Sequence, residues 1–125
     1  MAIIEKEIKL VGSKGEHELT GLFDSGATYS CIDRDLAKKL EMLTPLPIPI
    51  SLETAEKGSA VKVTERVTLD FHLDGYRFSD EFMVIPGLSS QLIIGAKTMQ
   101  AWRFKLDFEA DEVIIDPRVT RLRLL

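Results

Sequence analysis

Several features that mark whole functional classes are scarce in this sequence. It has one cysteine, Cys31, and two histidines, His17 and His72. A lone cysteine excludes an internal disulfide and any cysteine-rich metal site, and it fits a reducing compartment, so a cytoplasmic location is expected. His17 and His72 lie far apart, and neither has a ligand partner at a metal-site spacing, so no metal and no cofactor are expected. The longest strongly apolar stretches, such as Leu92 to Ile94, are far too short to span a bilayer. The segment Met1 to Leu10 mixes Ile with Glu and Lys and lacks the apolar core of a signal peptide. Basic blocks are also missing. The 16 Lys and Arg are interspersed with 20 Asp and Glu, for a formal net charge of -4. Neither nucleic acid nor an anionic membrane is therefore an expected partner. No low-complexity segment and no repeat of solenoid period is present.

What is present is a globular pattern. Apolar residues make up 45% of the 125 residues, enough for a packed core, and the length suits one domain over residues 1–125. Short alternating runs recur with turn signals between them. Ile4, Lys6, Ile8 and Leu10 alternate with Glu5, Glu7 and Lys9, up to a turn at Gly12-Ser13-Lys14-Gly15. His17 to Phe23 reads as a second strand. Val61 and Val63 begin a third run, in which Val67, Leu69, Phe71 and Leu73 form an apolar stripe. Asp74-Gly75 is a two-residue hairpin signal, so Tyr76 to Ile85 is the return strand, stopped by Pro86-Gly87. Phe104, Leu106 and Phe108 alternate in a later strand, which Ala110-Asp111 turns toward Val113 to Asp116. Asp33 can cap a helix through Leu36, Ala37 and Leu40, with Lys38 and Lys39 on its solvated side. A second helix is expected after Gly95, over Ala96 to Trp102. The prolines of Thr44-Pro45-Leu46-Pro47-Ile48-Pro49-Ile50 forbid a helix and favour an extended segment outside the middle of a sheet. The fold class is all-β, a small closed barrel with one or two short helices.

One segment carries chemistry. In Leu22-Phe23-Asp24-Ser25-Gly26-Ala27, two apolar residues deliver a carboxylate to the end of a strand. Ser25 can fix the loop by hydrogen bonding, and Gly26 permits close backbone approach. Because Asp, Ser and Gly all favour turns, this segment alone also fits an ordinary strand-to-turn junction. Leu92-Ile93-Ile94-Gly95, downstream and just before a helix, changes that balance.

In this order and separation the two segments resemble the retropepsin-like aspartic peptidases. That family has a hydrophobic pair ahead of Asp-[Ser/Thr]-Gly-Ala, and later a hydrophobic-hydrophobic-Gly segment before a helix. Ser30-Cys31-Ile32 followed by Asp33 to Leu40, and Phe82 to Pro86, are similar as well, so the resemblance runs from about Glu18 to Phe108. It implies an acid-protease barrel, with Asp24 catalytic and Ser25 and Gly26 supporting its loop. It assigns Ala27, and Thr54, Ala55 and Gly58 of a flap hairpin, to substrate binding. The sequence departs from the viral pattern in three places. Ser25 stands where many members have Thr, the segment Glu53 to Ala60 lacks a glycine-rich tip, and Ala96-Lys97 follows Gly95 where relatives often have Asp, Asn or Arg.

Aspartic peptidases need two carboxylates, and of the aspartates here only Asp24 precedes Ser-Gly. The chain thus supplies half a site, and the resemblance implies a homodimer acting on a polypeptide substrate. Terminal Ile3, Ile4, Leu122, Leu124 and Leu125 suit either a dimer interface or the chain's own core. A retropepsin-fold dimerisation or peptide-binding module with little turnover is the alternative function. Other chemistry fares poorly. Phe23 stands where a nucleophile elbow at Ser25 would need Gly, Cys31 has no identifiable histidine partner, and Trp102 reads as core.

Overall fold

The computed structural model describes residues 3–54 and 58–124. Among these residues nine strands and two helices follow one another: β1 (Ile3–Gly12), β2 (Gly15–Asp24), β3 (Cys31–Asp33), α1 (Arg34–Leu40), β4 (Thr44–Glu53), β5 (Ala60–Leu73), β6 (Tyr76–Ile85), β7 (Leu92–Ile94), α2 (Ala96–Ala101), β8 (Lys105–Asp107) and β9 (Glu112–Ile114). A 3-10 turn over Pro117–Thr120 comes last. The main sheet runs β1-β2-β7-β3-β6-β5-β4, and β5 also pairs with β1. That extra pairing closes six strands into a mixed barrel and leaves β4 outside it, on the edge of β5. The all-β closed barrel is therefore the observed class.

The elements follow from local chemistry. In β1 and β5 the buried residues recur at every second position (Ile8 and Leu10; Val67, Leu69, Phe71 and Leu73), as a half-buried strand requires. At the β5–β6 hairpin, Asp74 and Gly75 both take positive φ, 50° and 82°, which a two-residue turn between twisted strands demands. Helix α1 starts where the Asp33 carboxylate accepts from Leu36 N, and it buries Leu36, Ala37 and Leu40. The proline-rich segment is the edge strand β4, whose register against β5 breaks between Pro45 and Ile50.

β8 is shorter than the alternation of Phe104, Leu106 and Phe108 predicts. Phe104 turns into the core, its ring centroid 4.8 Å from that of Phe78, while Phe108 is half exposed. The Asp107 carboxylate accepts from Glu109 N and Ala110 N, which ends the strand in a turn. The main core gathers Phe23, Phe71, Phe78, Phe82 and Phe104 with aliphatic side chains from β1, α1 and β7. Each such phenylalanine contributes roughly 1.5–3 kcal/mol by burial. A second, smaller cluster of Cys31, Val63, Met83 and Ile85 lies toward the β4–β5 hairpin. Trp102 packs against the main core and donates from Nε1 to Ser79 O.

Candidate active site

Asp24 is the last residue of β2. Its neighbour Phe23 is wholly buried and meets the edge of Phe104, so the strand end is anchored in the core one residue before the carboxylate. Asp24 itself is half-buried, and Ser25 and Gly26 are exposed. Gly26 N donates to Asp24 Oδ1 at 2.9 Å, and Ala27 N donates to Asp24 O at 3.1 Å. These two backbone bonds close the loop and orient the carboxylate, as in an Asx turn. Ser25 makes no hydrogen bond among the described residues, so the loop-fixing role expected of its hydroxyl falls to backbone groups.

The loop is held from below by residues remote in sequence. β7 lies between β2 and β3, parallel to one and antiparallel to the other. Ile93 is opposite both Leu22 and Cys31. The chain therefore leaves β2 at Asp24, arches over the end of β7 and returns as β3. Gly95 sits under that arch. Ala96 N donates to Ala27 O at 2.7 Å, and Lys97 N to Thr28 O at 3.1 Å. The Lys97 ammonium stands 5.0 Å from the Tyr29 ring centroid. The Leu92-Ile93-Ile94-Gly95 segment thus meets the Asp24 loop in space.

A cleft of about 850 Å³ opens beside Asp24, walled by the Asp24 loop, the β4–β5 hairpin and apolar residues that include Ile50, Leu52, Val61, Ile85, Leu88 and Ile93. Ala27 and Thr54 line it. Gly58 is exposed, at φ 81°, and Ala55 lies outside the described residues. Thr54 N donates to Ser59 O and closes the hairpin. Among the described residues, two carboxylates line the cleft, Asp24 and Glu53 of β4. Asp33 contributes indirectly, because its Oδ1 accepts from Leu88 N at 3.0 Å and so fixes one wall.

Cys31 lines the cleft but is nearly covered, and burial pushes its thiol up to about 11, so it stays protonated and unreactive near neutral pH. His17 and His72 lie on β2 and β5, and no group of three His, Cys, Asp or Glu among the described residues is placed to hold a metal ion. No described helix is long and apolar enough to cross a membrane. A second groove, of about 490 Å³, lies by the β1–β2 turn. Its carboxylates are already engaged, Glu41 by Ser13 and Asp70 by Arg77. Of the terminal apolar residues, Ile4 is core, Ile3, Leu122 and Leu124 are exposed, and Leu125 lies outside the described residues. Most cleft-wall residues carry no motif in the sequence. Ile93 is the exception, as part of the Leu92-Ile93-Ile94-Gly95 motif, and the alternation of Ile50 and Leu52 is a further local signal that could have found part of the wall.

No curated protein sequence matches the chain. Among solved structures it is similar to the retroviral protease-like domain of Ddi1 from Leishmania major, with a TM-score of 0.67 and 17% sequence identity over 91% of this chain and 90% of that one. At that identity the likeness speaks for the fold. A family described as aspartyl protease matches residues 10–98, which include Asp24 and its loop, the hairpin over the cleft and Gly95. By that match, which spans most of its length, the chain belongs to the aspartyl protease family.

Proposed function

We propose that this chain is an aspartic endopeptidase that works as a homodimer, each copy supplying one Asp24. The observation that carries the proposal is that a single chain presents one Asp-Ser-Gly carboxylate, half-exposed and hydrogen-bonded by Gly26 N, at the edge of an apolar cleft. Half of a two-carboxylate site is of no use to this chemistry until a symmetry mate brings the other half.

The chemistry follows from the pair. Two adjacent carboxyl groups cannot both ionise at low cost, so they share one proton. The ionised member takes a proton from water as the water oxygen bonds to the scissile carbonyl carbon. The protonated member donates to the carbonyl oxygen. Collapse of the tetrahedral diol breaks the C–N bond, and the proton gained from water passes to the leaving nitrogen. The bond from Gly26 N fixes the carboxylate plane at Oδ1, and Oδ2 carries no protein hydrogen bond among the described residues. That edge is the one available to water. An extended polypeptide is the substrate class that suits a cleft walled on one side by a strand hairpin. No metal or cofactor enters the scheme, so chelators leave turnover unchanged. A cytoplasmic location, argued from the single cysteine, belongs to the same proposal.

The test is Asp24→Asn. Asn keeps size and most hydrogen bonding but shuttles no proton, so cleavage of an unfolded protein substrate drops by at least about 10² to 10⁴-fold, with fold and dimer retained. Wild-type turnover in that variant would refute the peptidase reading. A second reading, a peptide-binding or dimerisation module, is favoured by the hairpin tip, where Gly58 is the lone glycine between Glu53 and Ala60. A wild type that binds extended peptides but cleaves none from acid to neutral pH would select it.

A further inference from the structure

Ser30 and Thr98 are the buried polar side chains among the described residues, each 2% exposed. They are 68 residues apart in the chain, yet their hydroxyl oxygens are 2.5 Å apart. Ser30 Oγ also accepts from Gly95 N at 3.0 Å, and Ser30 O accepts from Met83 N at 2.9 Å. Among the described residues, every buried side-chain polar atom has a partner. In the sequence Ser30 stands out only as part of Ser30-Cys31-Ile32 and Thr98 only as a member of the expected second helix, and neither is among the described residues that line the cleft.

A valine at position 98 would fill nearly the same volume without burying a polar group. A buried hydroxyl pair adds direction, because a hydrogen bond fixes angle and distance where an apolar contact fixes only separation. Here the fixed distance runs between the end of the Asp24 loop and helix α2. At the far end of that loop, Ser30 is tied to Thr98. At its middle, Ala27 O and Thr28 O accept from Ala96 N and Lys97 N at the start of the same helix. At its near end, Gly26 N holds the carboxylate. Any shift of α2 is therefore passed to residues 27 and 28, next to the donor that orients Asp24.

We propose that Thr98 is a positioning residue for Asp24, which through its buried bond to Ser30 locks helix α2 under the loop that aims the carboxylate. The inference rests on the peptidase reading for its catalytic consequence, though not for its structural one. Small misplacements of a reacting group are costly, about 10²-fold for 1 Å, so a fraction of that shift lowers kcat on the order of tenfold.

The test is Thr98→Val beside Thr98→Ser in the full chain. In Thr98→Val, kcat falls about tenfold with KM nearly unchanged, while Thr98→Ser, which keeps the hydroxyl, restores it. Val113→Ala on β9, outside the cleft lining, serves as a control for general destabilisation and leaves kcat unchanged. A readout without turnover comes from backbone amide NMR. The Gly26 resonance, which reports its bond to the carboxylate, moves in Thr98→Val, and the Ala96 and Lys97 amides exchange faster. If the wild type cleaves nothing, the peptidase reading fails, and the amide measurement still decides the role of Thr98. Unchanged Gly26, Ala96 and Lys97 signals in folded Thr98→Val would overturn the proposal, as would unchanged kcat in an active enzyme. Should Thr98→Val not fold, Thr98→Ala removes the same hydroxyl, leaves the bond from Gly95 N to Ser30 Oγ in place, and is read in the same way.

Discussion

At position 95 there is room for a hydrogen and little else. A Cβ there would stand 2.5 Å from Tyr29 O and 2.9 Å from Ala27 O, both backbone atoms of the Asp24 arch. Backbone cannot swing aside as a long side chain can, so Gly95→Ala must lift the arch or push β7 down. The expected outcome is a loss of about 1–3 kcal/mol, read as a lower urea midpoint, together with lost cleavage. Glu41 shows a different residue-scale effect. The Ser13 hydroxyl, then the Ser13 and Met42 backbone N–H groups, pull its carboxyl from 4.5 down to about 2. A carboxyl held lower in the folded state stabilises the fold above its unfolded value, and that contribution is lost as pH falls from about 4.5 toward 2. Glu41→Gln should therefore melt below wild type at pH 6, with the gap closing by pH 2. Thermal melts across that range check it, and a gap that persists at pH 2 would exclude the ionised carboxylate as its source.

At the scale of elements, β5 has 14 residues and serves three neighbours. It pairs with β4 from Ala60 to Arg66, with β6 from Arg66 to Leu73, and with β1 from Asp70 to His72. The turn that sets its register on β6 is thus a control point for both barrel and cleft. Gly75 holds φ 82° with nothing crowding its Cβ direction. Gly75→Ala therefore isolates backbone strain, with an expected loss of about 1 kcal/mol in denaturant unfolding. Such elements were legible because their signals are local. Asp74-Gly75 dictates a turn, Asp33 dictates a helix start, and Pro45, Pro47 and Pro49 confine β4 to an edge. The extent of β8 was not legible, because Phe104 has the same alternation whether it continues a strand or turns into a ring cluster. What decided it was contact with Phe78, 26 residues away.

For the whole molecule, the barrel is closed by the pairing of β1 with β5 and leaves three exposed aliphatic residues near the ends of the described chain. Ile3 is 42% exposed, Leu122 83% and Leu124 98%. Ile3 is opposite Asp24 in the β1–β2 ladder, so one of them lies beside the candidate dyad. The proposed dimer is expected to bury Leu122 and Leu124. Burial of a leucine contributes roughly 1.5–3 kcal/mol, so changing both to Ser should weaken association by at least about a hundredfold. Sedimentation equilibrium over micromolar concentrations measures this. An unchanged dimer would place these leucines outside the interface, and a monomer with full peptidase activity would contradict the two-chain site altogether.

The sequence by itself determined most of the strands, both helices, the all-β class and the identity of the one Asp-Ser-Gly carboxylate. Each of these is written in a period, a turn residue or a tripeptide, within about ten residues of where it acts. Only the tertiary structure decided what surrounds that carboxylate. Ile85, Leu88 and Ile93 become a cleft wall, and Thr98 reaches Ser30, because β7 is inserted between β2 and β3. Those contacts join segments some seventy residues apart. The physical reason is that a buried hydroxyl or an apolar wall residue obeys the same local pattern as any core residue, and its role depends on which partner the sheet order brings against it.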